Sequence, residues 1–135
     1  MTPDVGRIIH KGTRLSYRSG HQELGYLKFS FPSDAAKDRN VVIDYIYVKP
    51  QYRRRGIATL LLGKFLGLYK NKVWVSLWTG RLAEKDGSWF LYKKLGFGQL
   101  AFQADYYAPG VGTRLFAKRL SPPDTKKANR KELLL

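Results

Sequence analysis

The chain has 135 residues, 44% of them hydrophobic, and a formal charge of +15 from 25 basic and 10 acidic residues. That length and apolar share suit one compact domain with its own core, and the absence of cysteine excludes disulfides and thiolate metal sites. His10 and His21 are the only histidines, too few for a histidine metal cluster, so no metal is expected.

Thr13 to Arg18 and Glu23 to Phe31 read as two strands around the turn Ser19-Gly20-His21-Gln22. Ahead of them, Val5 to Ile9 makes at best one short strand. Pro32 to Asn40 is polar and loop-like. Val41 to Val48 (VVIDYIYV) is rich in β-branched and aromatic residues and reads as a mostly buried strand. Arg55 to Tyr69 reads as a helix, with Ile57, Leu61, Phe65 and Leu68 at helical spacing. Gly63 and Gly67 share a face of that helix and are expected to pack closely on a sheet. Lys72 to Thr79 is the next strand, Gly87 to Leu95 a short helix, and Gly98 to Tyr107 and Thr113 to Leu120 a final antiparallel pair. The expected fold class is α/β: a mixed central sheet with a strand–helix–strand crossover in the middle. Residues 1–120 form the single domain, and residues 121–135 form a basic, mobile tail.

The charge is unevenly placed. The tail carries Lys126, Lys127, Arg130 and Lys131 against Asp124 and Glu132, which leaves most of the surplus on the folded body. Between Asp44 and Glu84 there is no acid, while eight bases fall in that stretch, so an anionic ligand or partner is expected. No apolar run approaches the roughly 18 residues that a membrane span needs, and Met1 to Gly12 lacks the apolar segment of a secretory signal. No membrane partner and a cytoplasmic location are expected.

The densest signal is Gln51-Tyr52-Arg53-Arg54-Arg55-Gly56-Ile57-Ala58, between a strand and a helix. A helix start presents unpaired N–H groups and the positive end of the helix dipole, which suits phosphate. Gly56 and the small Ala58 allow close approach to the backbone, and three arginines add fork-shaped donors.

These residues resemble the GNAT superfamily of acetyl-CoA-dependent N-acetyltransferases. The family's coenzyme motif, Arg/Gln-x-x-Gly-x-Gly/Ala, is matched by Arg53, Gly56 and Ala58. Its helix end, aromatic-Tyr-x-x-x-Gly-Phe, is echoed by Leu91-Tyr92-Lys93-Lys94-Leu95-Gly96-Phe97. The resemblance covers Thr13 to Leu120 and implies a GNAT-like fold with acetyl-CoA as co-substrate. It implies that the backbone from Arg54 to Thr59, Ile57 included, holds the pyrophosphate. Arg53, Arg54 and Arg55 then contact phosphates, and the pantetheine arm pairs with the strand edge at Ile46 and Val48. Tyr92 matches the tyrosine that protonates the leaving sulfur in many members.

Two departures stand out. Lys85 replaces an asparagine that many relatives use on the coenzyme, and is expected either to serve its phosphates instead or to contribute nothing. The two helices between the family's first two strands are expected to have no counterpart, so a minimal, N-terminally shortened member with an open acceptor side is expected. Asp44 is the lone acid of its strand; alternation sets Val42, Asp44, Ile46 and Val48 on one face, with Tyr45 and Tyr47 on the other. Lining the cleft and raised in pKa by burial, Asp44 is a candidate base for the amine. Tyr106 and Tyr107 are minor candidates for the acceptor site.

The expected activity is acetyl transfer to a macromolecular amine in anionic surroundings: a protein lysine, a protein N-terminus, or an aminoacyl-tRNA. The rival reading is a non-catalytic coenzyme-binding or basic nucleic-acid-binding module that keeps the fold. Trp74, Trp78 and Trp89 offer rings for base stacking in that case, but they are expected to be packing in the sheet and helix. Sequence does not choose between monomer and homodimer.

Overall fold

A computed structural model of the protein describes residues 6–81 and 89–121. Lys85 and the tail beyond Ser121 lie outside the described residues. Seven strands and two helices follow in order: β1 Arg7–Lys11, β2 Arg14–Ser19, β3 Gln22–Ser30, β4 Asn40–Val48, α1 Ile57–Leu68, β5 Trp74–Trp78, α2 Trp89–Lys94, β6 Gly98–Ala108 and β7 Val111–Arg119. One sheet holds all seven strands in the order β1-β2-β3-β4-β5-β7-β6. Only β4 and β5 run parallel, joined through α1. This is the mixed α/β sheet expected from the strand and helix patterns.

β1 passes into β2 through Gly12 and Thr13 alone, with Gly12 at φ 58°. No helix separates these strands. The segment expected to be loop from Pro32 contains a 3-10 turn at Ala35–Asp38, started by Asp34, whose carboxylate accepts from the Ala36 N–H at 2.8 Å. β6 and β7 turn through Pro109 and Gly110, the latter at φ 77°.

The core lies on one face of the sheet. Leu15, Leu27, Phe29, Val41, Ile43, Val75, Leu77 and Phe116 project from the strands and are buried. α1 returns Ile57, Leu61, Leu62 and Phe65 to them, and α2 closes the far end with the Tyr92 ring 5.7 Å from that of Phe116. Gly25 on β3 makes room for this layer. A Cβ there would stand 2.8 Å from the Tyr47 carbonyl oxygen and 3.3 Å from Ile57 Cγ2. Gly63 and Gly67, by contrast, are exposed, with nothing within 4 Å of a Cβ built on either. The expected close packing on the sheet is therefore corrected: the apolar residues of α1 take its inner stripe, and the two glycines face solvent.

Two polar nodes tie the sheet. Buried Thr79 accepts at its carbonyl from Thr113 Oγ1 (2.8 Å) and the Tyr107 hydroxyl (3.0 Å), while its own Oγ1 accepts from the Arg114 N–H. Tyr107 is thus engaged at the end of β5. On the opposite face, the Glu23 carboxylate accepts from Arg14 and from Ser16 Oγ, each at 2.6 Å. Burial pushes the Glu23 carboxyl up, but the Arg14 and Ser16 hydrogen bonds together with the arginine charges outweigh it and hold it below its ordinary value.

A carboxylate with a lowered folded pKa contributes stability above its unfolded pKa and loses it as pH falls through the folded one. Glu23→Gln is expected to lower stability at pH 7 by no more than about 1 kcal/mol, because the pair is partly exposed. Urea unfolding of both proteins at pH 7 and again at about pH 2.5 checks this: the gap between them should close in acid, where wild-type Glu23 is protonated.

Candidate active site

The site opens where the sheet comes apart. β4 and β5 share only the pairs Asn40 with Trp74, Val41 with Val75 and Val42 with Ser76. From Ile43 onward the β5 side of β4 has no strand partner. A cleft of about 650 Å³ occupies the gap. Its lining includes Ile46, Val48, Arg53, Arg54, Gly56, Ile57, Ala58 and Thr59, with Leu91 and Tyr92 forming the wall across from β4.

The chain enters α1 through two left-handed residues, Arg54 at φ 64° and Gly56 at φ 79°. For an arginine this conformation costs roughly 1–2 kcal/mol, a strain typical of functional turns. The first helical hydrogen bond runs from the Leu60 N–H to the Gly56 carbonyl at 3.0 Å. The N–H groups of Ile57, Ala58 and Thr59 therefore precede the ladder. Gly56, as N-cap, offers no side chain to accept from them, and the first turn carries no acid. An anion at this end of the cleft would meet free backbone donors, the positive helix terminus and the Arg54 guanidinium. A Cβ on Gly56 meets nothing within 4 Å, so any side chain there would extend into open space beside these donors.

The three arginines divide their work. Arg53 donates from Nε to the Val48 carbonyl at 2.9 Å and so anchors the turn to the end of β4. Arg54 lines the cleft, while the Arg55 guanidinium lies 5.5 Å from the Tyr52 ring and is not part of the lining.

Tyr92 stands on the α2 wall. Its ring packs 5.9 Å from Phe97 and 5.7 Å from Phe116, which fixes the phenol's position at the cleft. The Phe97 N–H donates to the Tyr92 carbonyl at 2.9 Å, and Gly96 at φ 91° makes that reversal possible. This is the physical sense of the Tyr-x-x-x-Gly-Phe spacing.

Asp44 does not share the face of Ile46 and Val48. The β3–β4 register shifts between Lys28, paired with Tyr45, and Phe29, paired with Ile43, so Asp44 is the extra residue of a β-bulge. Alternation breaks there: Ile43, Ile46 and Val48 go to the helix side, while Asp44 and Tyr45 turn to the other. Asp44 is exposed rather than buried, accepts from Ser30 Oγ at 2.9 Å, and does not line the cleft. Tyr47, expected on the face away from the cleft, lines it, and so do Tyr52 and Leu91, which were not singled out from the sequence. Tyr52 sits beside the arginine run after Pro50, and Leu91 precedes Tyr92 on the wall, so adjacency was the available signal.

Among the described residues, no group of three or more His, Asp or Glu is arranged to hold a metal, and no helix is long and apolar enough to cross a membrane.

The sequence model of the Acetyltransferase (GNAT) family matches residues 10–97, more than half of the chain. A curated relative from Haemophilus influenzae, the alanine N-acetyltransferase of ribosomal protein bS18, is 35% identical over 69 residues. The match takes in 51% of this chain, which spans about half (47%) of that relative's length. Its counterpart from Salmonella typhimurium is 28% identical over 102 residues, 69% of each protein. Among solved structures, the ribosomal-protein alanine N-acetyltransferase of Escherichia coli superposes with a TM-score of 0.71 at 16% identity, over 91% of this chain and 76% of that one. A putative acetyltransferase of Salmonella typhimurium, solved with acetyl-CoA, reaches 0.71 at 17% identity, over 86% and 69%. At these identities the structural matches speak for the fold, and the family model speaks for descent. By that family model the chain belongs to the GNAT acetyltransferase family.

Proposed function

We propose that this protein is an N-acetyltransferase that takes the acetyl group of acetyl-CoA and transfers it to the N-terminal amine of a protein held in anionic, RNA-bearing surroundings. The observation that carries the reading is the cleft between the parted strands, with free helix N–H groups at one end and Tyr92 on its wall. The curated relatives, named for acting on an alanine of a ribosomal protein, support the acceptor class.

The N–H groups of Ile57, Ala58 and Thr59, with Arg54, would hold the pyrophosphate; Arg53 would keep their turn in place. The unpaired β5 side of Ile46 to Val48 would take the amide-bearing arm as a sheet takes one more strand. Acetyl-CoA supplies the activated carbonyl and the thiolate leaving group. The Tyr92 phenol would donate its proton to that thiolate.

The amine must arrive neutral. A lysine side chain, with a pKa of about 10.4, needs a strong local base, whereas an α-amine at about 7.7–8.0 is already partly neutral at pH 7. No carboxylate is among the described residues that line the cleft, which favours the α-amine. Asp44, exposed at the bulge and outside the cleft lining, would assist only through water.

Three measurements test these roles. Gly56→Val adds a strained left-handed residue and fills the approach to the helix start, so calorimetry should find CoA binding at least tenfold weaker. Wild-type affinity in this variant would sink the pyrophosphate site. Tyr92→Phe keeps the ring packing but removes the donor; kcat should fall about 100-fold with CoA affinity within twofold of wild type. Turnover within twofold of wild type would leave Tyr92 as packing only. Asp44→Asn should cost several-fold in kcat/KM at pH 7 and recover by about pH 9, where the α-amine is neutral without help. A loss independent of pH would mark Asp44 as a structural partner of Ser30.

A further inference from the structure

The sheet has two faces, and both described helices cover the same one. Val41 and Ile43 on β4, Val75 and Leu77 on β5, and Phe116 on β7 are buried beneath α1 and α2. The residues that alternate with them point the other way, where no described helix packs. That face is not the polar surface that a one-sided sheet usually turns to water. On β3 and β4, Tyr26 stacks on Tyr45 with ring centroids 6.1 Å apart and planes 18° from parallel. On β5, Trp74 and Trp78 flank Ser76 on the open side. Tyr45, Trp74 and Trp78 are 56%, 37% and 51% exposed, so these two tryptophans are surface rings, whereas Trp89 packs against the core as expected.

Toward β1, β2 and β3 this face also carries a cluster of cations. Register puts Arg7, Lys11, Arg14, Arg18 and Lys28 on the same side of β1, β2 and β3. The Arg14 guanidinium lies 3.9 Å over the Tyr26 ring, and that of Arg119 lies 5.5 Å from the Trp74 ring. The acids here are Glu23, already held by Arg14 and Ser16, and Asp44. Flat rings interleaved with positive charge fit one chemistry, bases to stack and phosphates to neutralise. A second copy of the chain would bring like charges face to face, which opposes association through this surface.

We infer that the open sheet face docks single-stranded RNA, with bases on Tyr45, Trp74 and Trp78 and phosphates on Lys11 and Lys28. The choice of RNA over DNA rests on the proposed RNA-bearing acceptor; the stacking and charge arguments stand without it.

The test uses the full chain without acetyl-CoA and a fluorescein-labelled twelve-nucleotide oligouridine. Wild type should raise the anisotropy of the probe, and unlabelled oligouridine should quench tryptophan fluorescence. The Tyr45→Ala, Trp78→Ala double variant should bind at least tenfold more weakly, and Tyr45→Phe, Trp78→Phe less than threefold more weakly. Lys28→Ala should reduce the slope of log K against log salt by about one. Calorimetry with CoA should give wild-type affinity in each variant and so certify the fold. The inference is overturned if the alanine pair binds oligouridine like wild type, or if Arg54→Ala rather than the alanine pair abolishes binding. It is also overturned if the same length of oligothymidine binds more tightly, or if light scattering finds a dimer that Trp78→Glu dissociates. Lost acetyl transfer with RNA binding intact would defeat the enzyme reading alone; lost RNA binding with transfer to a free peptide intact would defeat only this one.

Discussion

The parting of β4 from β5 after three residue pairs is the constraint on which the rest depends. A parallel pair is closed by its crossover helix, and here that helix begins at the mouth of the gap. One geometric event therefore supplies three things together: an unpaired strand edge, a helix start with free N–H groups, and a space between them. The packing follows suit. Gly25 must lack a side chain so that β3 can lie against the Val48 and Ile57 side chains, and Arg53 must reach back to the Val48 carbonyl so that the turn stays seated. The far wall is held by rings, Tyr92 against Phe97 and Phe116, rather than by strand pairing across the gap.

Much of this was legible in the residues, because the signals were local. The VVIDYIYV run, the Arg-Arg-Arg-Gly turn and the Tyr-x-x-x-Gly-Phe spacing each report on a few neighbours, and each landed on the element expected. What was not legible depended on partners distant in sequence. The bulge at Asp44 exists because β3 and β4 fall one residue out of step, and no pattern within β4 announces that. Strict alternation then misassigns the face of Asp44. The inward role expected of Gly63 and Gly67 failed for a similar reason: spacing says that two residues share a helix face, but only the sheet decides which face is inner. Arg53 and Arg55 looked equivalent to Arg54, and tertiary contacts separated them into an anchor, an arginine over Tyr52 and a cleft residue.

Charge works at two ranges in this molecule. Close to the helix start, a few fixed donors define where an anion can sit. Over the whole body, the surplus of basic residues makes a long-range field that raises encounter rates with polyanions and weakens with salt. The first sets geometry and the second sets company.

The outward glycines of α1 bear on how the protein melts. Each lowers helix propensity by about 1 kcal/mol relative to alanine, and neither returns packing contacts. A twelve-residue helix of this kind has little order of its own. Its shape is borrowed from the sheet through Ile57, Leu61, Leu62 and Phe65. The N–H groups at its first turn are then only as well aimed as the core is intact, so the anion end of the cleft and the hydrophobic layer come apart as a single cooperative unit, and a ligand that holds that turn steadies the whole layer beneath it.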